Sequence, residues 1–297
     1  MRRGLALLAV VFGFGIAVLP FAMSLWSDAP AGQRIVERFD STLSTHGLHA
    51  LVTNFNTVGA MSNQVFHEMA PQLRIDTAAH PAIAHAQQQI PAAVALVAPV
   101  NKQLVAVHGD FESVKSLPGI FGLPLKSIPW LLLGLGVALV CLGVFALVRP
   151  SVWASAAIGG VGLAMVVLSL ALSLPSKADS AVHVNKVGKV ALSPVAAKAA
   201  IDTTRTIDAL VNDVNSSFGE QAKSYPAVER GLERWPSIRP GAFALAAAQQ
   251  ASLKDREKLD NIPFRAFPWL IIGPGIVLAV AGALAVTRQA PRRAKAV

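Results

Sequence analysis

Ile128-Pro129-Trp130-Leu131-Leu132-Leu133 has a near copy at Phe267-Pro268-Trp269-Leu270-Ile271-Ile272, and an uncharged apolar run follows each copy. Windows free of Asp, Glu, Lys, Arg and His also occur from Gly4 to Ser27 and from Pro150 to Ser176. A helix rises 1.5 Å per residue and a hydrocarbon core is about 30 Å thick, so about 20 such residues cross it. The sequence therefore predicts an all-α integral membrane protein with four transmembrane helices, at residues 5–26, 129–148, 152–174 and 267–287. Proline suits a first helical turn, where its missing N–H costs nothing, and tryptophan suits the headgroup level. Trp26, Trp130, Trp153 and Trp269 are accordingly expected as membrane-interface anchors.

Charge supplies the orientation. Arg2, Arg3, Arg149, Arg288, Arg292, Arg293 and Lys295 lie at span ends with no acidic residue among them, whereas the two long loops are closer to balance. Basic residues near span ends stay cytoplasmic, which predicts a multi-pass plasma-membrane protein with both termini in the cytoplasm. The net charge of +9 is thereby explained by topology and attraction to membrane lipid, not by nucleic acid. Arg2 and Arg3 ahead of an apolar run also fit a secretory signal. The run from Leu5 to Trp26 exceeds the usual signal length of about 7 to 15 residues, which favours an uncleaved anchor. The single cysteine, Cys141, falls within a span, so the loops are not stapled by disulfides. Heavy Ala and Val usage suits a bacterial membrane.

The loops, 27–127 and 176–265, are too long to be connections and are expected to be helical. Leu48, Leu51, Val52, Phe55, Val58, Ser62, Val65, Phe66 and Met69 recur at helical spacing, with Ser44 or Thr45 as cap. Ile75 to Gln89 is expected to be looser, with Pro91 opening a further helix and Pro99 bending it. Leu117 to Pro124, rich in Pro and Gly, is expected to lie at the interface. In the second loop Ser193 caps a helix begun by Pro194, breaks follow at Tyr225-Pro226 and Trp235-Pro236, and Pro240 opens the last external helix.

This order suggests tandem duplication. Residues 1–150 would form one repeat and 151–297 the other, the latter ending in a basic tail at 288–297. Leu19-Pro20 and Leu174-Pro175 align at an offset of 155, Pro91 and Pro240 at 149, and the two Pro-Trp pairs at 139. Both loops would then pack into one helical extracytoplasmic domain.

Small residues recur every four positions at Ala156, Gly160 and Ala164 and at Gly275, Ala279 and Ala283, a pattern that lets helices approach closely in lipid. They are read as bundle-packing positions, with a face for a second copy of the chain as the alternative. Coupled transporters place ionisable groups at membrane depth; these spans hold none besides Cys141, which argues against that class. Six of seven histidines lie in the first loop. His46, His49 and His67 are the metal candidates, set against the ordinary reading of solvated helical histidines. No nucleophile elbow, phosphate-binding glycine loop or zinc-protease motif occurs, so neither an enzyme nor a cofactor is expected. Glu229 and Glu233, flanked by Arg230 and Arg234, read as an exposed helix face.

The segment from Arg34-Ile35-Val36-Glu37-Arg38-Phe39 through Asn54-Phe55-Asn56-Thr57-Val58-Gly59 resembles uncharacterised four-pass membrane proteins of actinobacterial type. The resemblance implies the general layout and carries no activity or site. Taken together, the sequence is read as a non-enzymatic envelope protein whose external domain binds a protein or lipid partner. The alternative is a transport component forming a path for a lipid or other apolar molecule.

Overall fold

The computed structural model describes residues 2–115, 125–260 and 262–287, without the side chains at 96, 97, 100 and 101. The Pro- and Gly-rich run at 117–124 and the basic tail at 288–297 lie outside the described residues. Among those described, every regular element is helical. They are α1 (Arg2–Ala22), α2 (Leu25–Leu43), α3 (Thr45–Gln64), a π turn (Val65–Met69), α4 (Ala70–Leu73) and α5 (Pro81–Lys115). After a short 3-10 turn come α6 (Ile128–Val148), α7 (Val152–Ala171), α8 (Leu174–Ala191), α9 (Pro194–Ala222), α10 (Pro226–Leu259) and α11 (Phe267–Thr287).

Four helices, α1, α6, α7 and α11, are long and apolar enough to cross a membrane. Two of them end sooner than the sequence suggests. α1 stops at Ala22 and α7 at Ala171, not at 26 and 174, because Ser24 and Ser173 both adopt φ 52°. A left-handed residue ends a helix. The next helix starts at once, with the Ser27 hydroxyl donating to the Ser24 carbonyl at 3.0 Å and the Ser176 hydroxyl to the Ser173 carbonyl at 2.9 Å.

The chain divides into two compact units. Of the described residues, those within 1–33, 110–184 and 258–297 form unit 1, and those within 34–109 and 185–257 form unit 2. In unit 1, α1 packs chiefly on α6 and α7 on α11. Glycine brings the backbones together. A Cβ added at Gly136 would lie 2.5 Å from the Ala17 nitrogen and 2.6 Å from the Gly13 carbonyl oxygen, and one at Gly13 would lie 2.8 Å from the Gly136 oxygen. The second pair repeats this. A Cβ at Gly162 would meet the Gly275 oxygen at 2.7 Å, and one at Gly282 would meet the Gly159 Cα at 2.5 Å. Gly13 and Gly162 are 149 residues apart, as are Ser24 and Ser173; Gly136 and Gly275, and Gly143 and Gly282, are 139 apart. Leu5, Ile16, Leu132, Leu139, Ile158, Met165, Ile271 and Leu278 join these helices in one apolar core.

The packing ridge of α7 differs from the sequence reading. Ala156, Gly160 and Ala164 are exposed, while Ala154, Ser155, Ile158, Gly162, Met165 and Ser169 are buried. The four-residue period is present, but the small residues that meet α11, Ser155, Gly159 and Gly162, are one or two positions away from those chosen by composition. In α11, Gly275 is buried, Ala279 half-buried and Ala283 exposed, and Gly282 takes the place expected of Ala283.

Unit 2 has its own core. Met61, Val65, Phe66 and Met69 meet Ile83, Ala86 and Ile90 from α5, Leu210, Val211 and Val214 from α9, and Val228, Trp235 and Ile238 from α10. Ser44 caps α3 by accepting the Gly47 N–H at 3.0 Å, and Ser193 caps α9 by accepting the Ala196 N–H at 3.2 Å. α10 begins at Pro226, as the Tyr225-Pro226 break predicts. Other expected proline boundaries are absent: Pro91 lies inside α5, as does Pro99, and Pro236 and Pro240 lie inside α10; for Pro99, expected only to bend its helix, an interior place is no departure. An interior proline removes one backbone hydrogen bond, but the apolar face of each helix remains buried on both sides of it. The buried residues Ile83, Ala86 and Ile90 and the buried residues Val228, Gly231 and Trp235 stand at a constant offset of 145, the same as that from Pro91 to Pro236. Pro20 lies within α1 and Pro175 in the first turn of α8.

The glycine contacts yield a direct test. G136A and G282A each lower the thermal midpoint of the purified chain by several degrees, since an inserted methyl in a tight contact costs about 1–3 kcal/mol. G160A does not, because a Cβ there meets nothing within 4 Å. Equal midpoints for G136A and G160A would rule the close approach out.

Candidate functional site

Polar side chains in unit 2 concentrate where helices from different parts of the chain meet. Asp255 of α10 accepts a two-pronged bond from Arg34, Nε at 3.1 Å and Nη2 at 2.5 Å, and a third from Arg38 Nη1 at 2.7 Å. Arg38 also donates to the Ala251 carbonyl at 3.1 Å. The Arg34 hydrogen bond, then that from Arg38, holds the Asp255 carboxyl below the usual carboxylate range despite its burial. At Asp208, burial pushes the carboxyl up, but hydrogen bonds from Arg239 and from Trp235 Nε1, the latter at 2.9 Å, together outweigh it and the net shift is downward.

Two further contacts tie helix ends to distant parts of the chain. Gln64 Oε1 at the end of α3 accepts the N–H groups of Ala227 and Val228 at 2.7 and 3.3 Å, satisfying donors in the first turn of α10. Asp213 of α9, 149 residues after Gln64, pairs at 3.0 Å with His80 Nδ1 just ahead of α5. His80 also lies 4.8 Å from the Phe218 ring, centroid to centroid.

Beside the α3–α10 contact lies an open groove of about 390 Å³ lined by Thr53, Asn56, Thr57, Ala60, Ala227, Arg230 and Arg234. Gly231 allows the helices to close here, for a Cβ on it would meet the Met61 side chain at 2.5 Å. The Thr57 hydroxyl donates to the Thr53 carbonyl at 2.9 Å and receives a long contact, 3.5 Å, from Arg234 Nη1. The sequence places Arg230 and Arg234 on one face of a helix. It holds no signal that α3 brings two threonines and an asparagine opposite them.

In unit 1, Asp110 accepts from Ser180 at 2.7 Å and pairs with His183 Nδ1 at 2.6 Å. Lys177 donates to the Ser113 carbonyl at 2.7 Å, and burial pushes its ammonium pKa down.

The residues singled out from sequence are distributed as follows. Trp130 and Trp269 stand in the first turns of α6 and α11 at 65% and 61% exposure, and Trp153 in that of α7 at 85%. Trp26 is half-buried, edge-on to Trp130 with centroids 4.7 Å apart, and begins α2 instead of ending the first span. His46 and His49 are exposed on α3, and His67 is exposed in the π turn. Among the described residues no three His, Cys, Asp or Glu side chains gather as metal ligands. Cys141 is exposed on α6.

Compared with family models, curated proteins and solved structures, the chain matches none.

Asp255 makes unit 2 sensitive to acid. Its folded pKa lies below the unfolded value of about 3.9, so the stability it contributes is present above about pH 4 and is lost as pH falls through the folded pKa. D255N lowers the midpoint at pH 7, by about 1–3 kcal/mol of stability, and flattens its decline between pH 5 and 3. A D255N profile parallel to the parent's would contradict this role.

Proposed function

We propose that the chain is a non-enzymatic integral membrane protein of a bacterial cell envelope, and that unit 2 faces the extracytoplasmic side and binds a protein or lipid partner. The observation that carries this reading is that both long loops contribute to one compact helical unit with its own apolar core and an open polar groove. Connections alone would not need such a core. Basic residues at Arg2, Arg3 and Arg149, and in the tail, support cytoplasmic termini. Trp130, Trp153 and Trp269 are proposed as interface anchors, with their exposed rings meeting headgroups. The apolar core shared by all four spans supports partner binding over the transport component.

We also propose that the chain arose by tandem duplication. The glycine contacts support it, because Gly13 meets Gly136 as Gly162 meets Gly275. So do the left-handed serines and the serine caps, each pair at an offset of 149. An even number of spans per repeat keeps both repeats in the same orientation.

Two measurements test the reading. In a chain with Cys141 replaced by alanine, H85C and K198C in unit 2 are labelled in intact cells by a membrane-impermeant maleimide. Labelling only after the cytoplasm is opened would reverse the topology. A photo-crosslinking residue at position 85 in native membranes yields a discrete adduct with protein or lipid, and the absence of any adduct from positions across unit 2 would count against partner binding.

A further inference from the structure

We propose that the groove between α3 and α10 is a binding site for a phosphoryl group, held by Arg230 and Arg234 with Thr53, Asn56 and Thr57 as neutral partners. The proposal rests on the preceding reading in taking unit 2 as the part that binds, and its second argument rests also on the proposed duplication. It adds the chemistry of what is bound.

Charge is the first argument. Arg34 and Arg38 are bonded to Asp255, and Arg239 to Asp208. Among the described residues, Arg230 and Arg234 have no carboxylate partner, and no acidic side chain lines the groove. Glu229 and Glu233 do not line the groove; Glu233 is three residues after Arg230 and so a helical neighbour of it, but no ion pair joins them among the described residues. Two like charges four residues apart on a helix repel. Their placement on one concave wall therefore lowers stability unless an anion lies between them. The groove is also at the start of α10, where the helix dipole adds positive potential. The first backbone donors are already taken by Gln64, so the guanidinium groups are left to make the direct contacts.

The second argument is internal comparison. At the offsets set by burial, Asp202, Arg205 and Thr206 of α9 occupy the places of Thr53, Asn56 and Thr57, and His85 and Gln89 of α5 those of Arg230 and Arg234. There Thr206 donates to Gln89 Oε1 at 3.0 Å. The same helix pairing thus forms without two arginines and with an acid present. The arginine pair is not required by the packing, which is consistent with a use in ligand binding. Planar guanidinium forks match the oxygens of a phosphoryl group, and hydroxyl and amide groups can meet those remaining. A groove of about 390 Å³ accommodates a glycerophosphate-sized group.

A free phosphate monoester and a phospholipid headgroup present the same chemistry. The test uses the full chain in nanodiscs of neutral phosphatidylcholine, titrated calorimetrically with inorganic phosphate, glycerol 3-phosphate and dihexanoylphosphatidylglycerol. At least one probe binds, with affinity that falls as salt rises. R230Q and R234Q each weaken it about tenfold, the expected size for one charge-assisted contact, and the double variant abolishes it. K198Q, which removes an exposed charge from α9, leaves it unchanged. Both arginines are exposed, so an unchanged thermal midpoint confirms that the variants fold. Binding of the soluble phosphates assigns the site to the phosphoryl group alone; binding of the short-chain lipid only assigns it to a headgroup. If no probe binds, or if binding survives in the double variant, the proposal is overturned. A partner crosslink to unit 2 that persists in that case leaves the partner-binding reading standing.

Discussion

Backbone contact through glycine is the constraint on which unit 1 depends. Lipid tails are as apolar as leucine, so helices inside a bilayer gain little by hiding apolar side chains from lipid, and association relies on close packing. Gly13, Gly136 and Gly143 provide it between α1 and α6, and Gly162, Gly275 and Gly282 between α7 and α11. Each interface is self-consistent, with the carbonyl of one glycine lying where the partner glycine would carry a Cβ. The exposed faces of these helices can then be any apolar residue. Leu7, Val11, Phe14, Leu163 and Val280 fill them without a discernible motif.

Unit 2 follows a different rule. Water is available to loops of this size, burial of apolar surface is favourable, and the helices meet across the two halves of the chain. Gln64 of the first half bonds to the start of α10 in the second, while Asp213 of the second half pairs with His80 in the first. Thr206 and Gln89, and Tyr225 and Gln72, also link the halves. Met61, Ile83, Leu210 and Val228 share one core, so each half holds only part of the apolar set. Loops of about 75 residues are marginal as separate folding units, and pooling their apolar surface in one core offsets that deficit.

The spans and the serine caps were legible because their causes are local. A charge-free window of about 20 residues, or a serine before proline, carries its consequence within a few residues. Failures came where a distant partner decides. Ala156, Gly160 and Ala164 have the spacing of a ridge, but spacing fixes no phase, and the position of α11 selected Gly162 instead. Pro91 and Pro236 look like boundaries to a local rule, while burial of Ile90 and Trp235 beside them keeps α5 and α10 continuous. In the groove, Arg230 and Arg234 were visible and read as a solvated face; the residues that make the face concave are some 175 positions away in α3.

Asp110 and Asp255, 145 residues apart, make comparable contacts with different partners. Each is an acid on a long helix, bonded to a side chain of the helix that follows one of the long apolar helices: His183 from α8 in one case, Arg34 from α2 in the other. His183 and Arg34 are 149 residues apart. The contact type is shared while the partner differs, an imidazole nitrogen on Asp110 and a two-pronged guanidinium on Asp255. The same division runs through unit 2, where apolar positions such as Val65 and Val214 match and the polar positions facing a groove do not. Packing restricts the first kind of position in both halves of the chain. Polar positions that no core residue contacts are free to differ, and there chemistry specific to one half can develop.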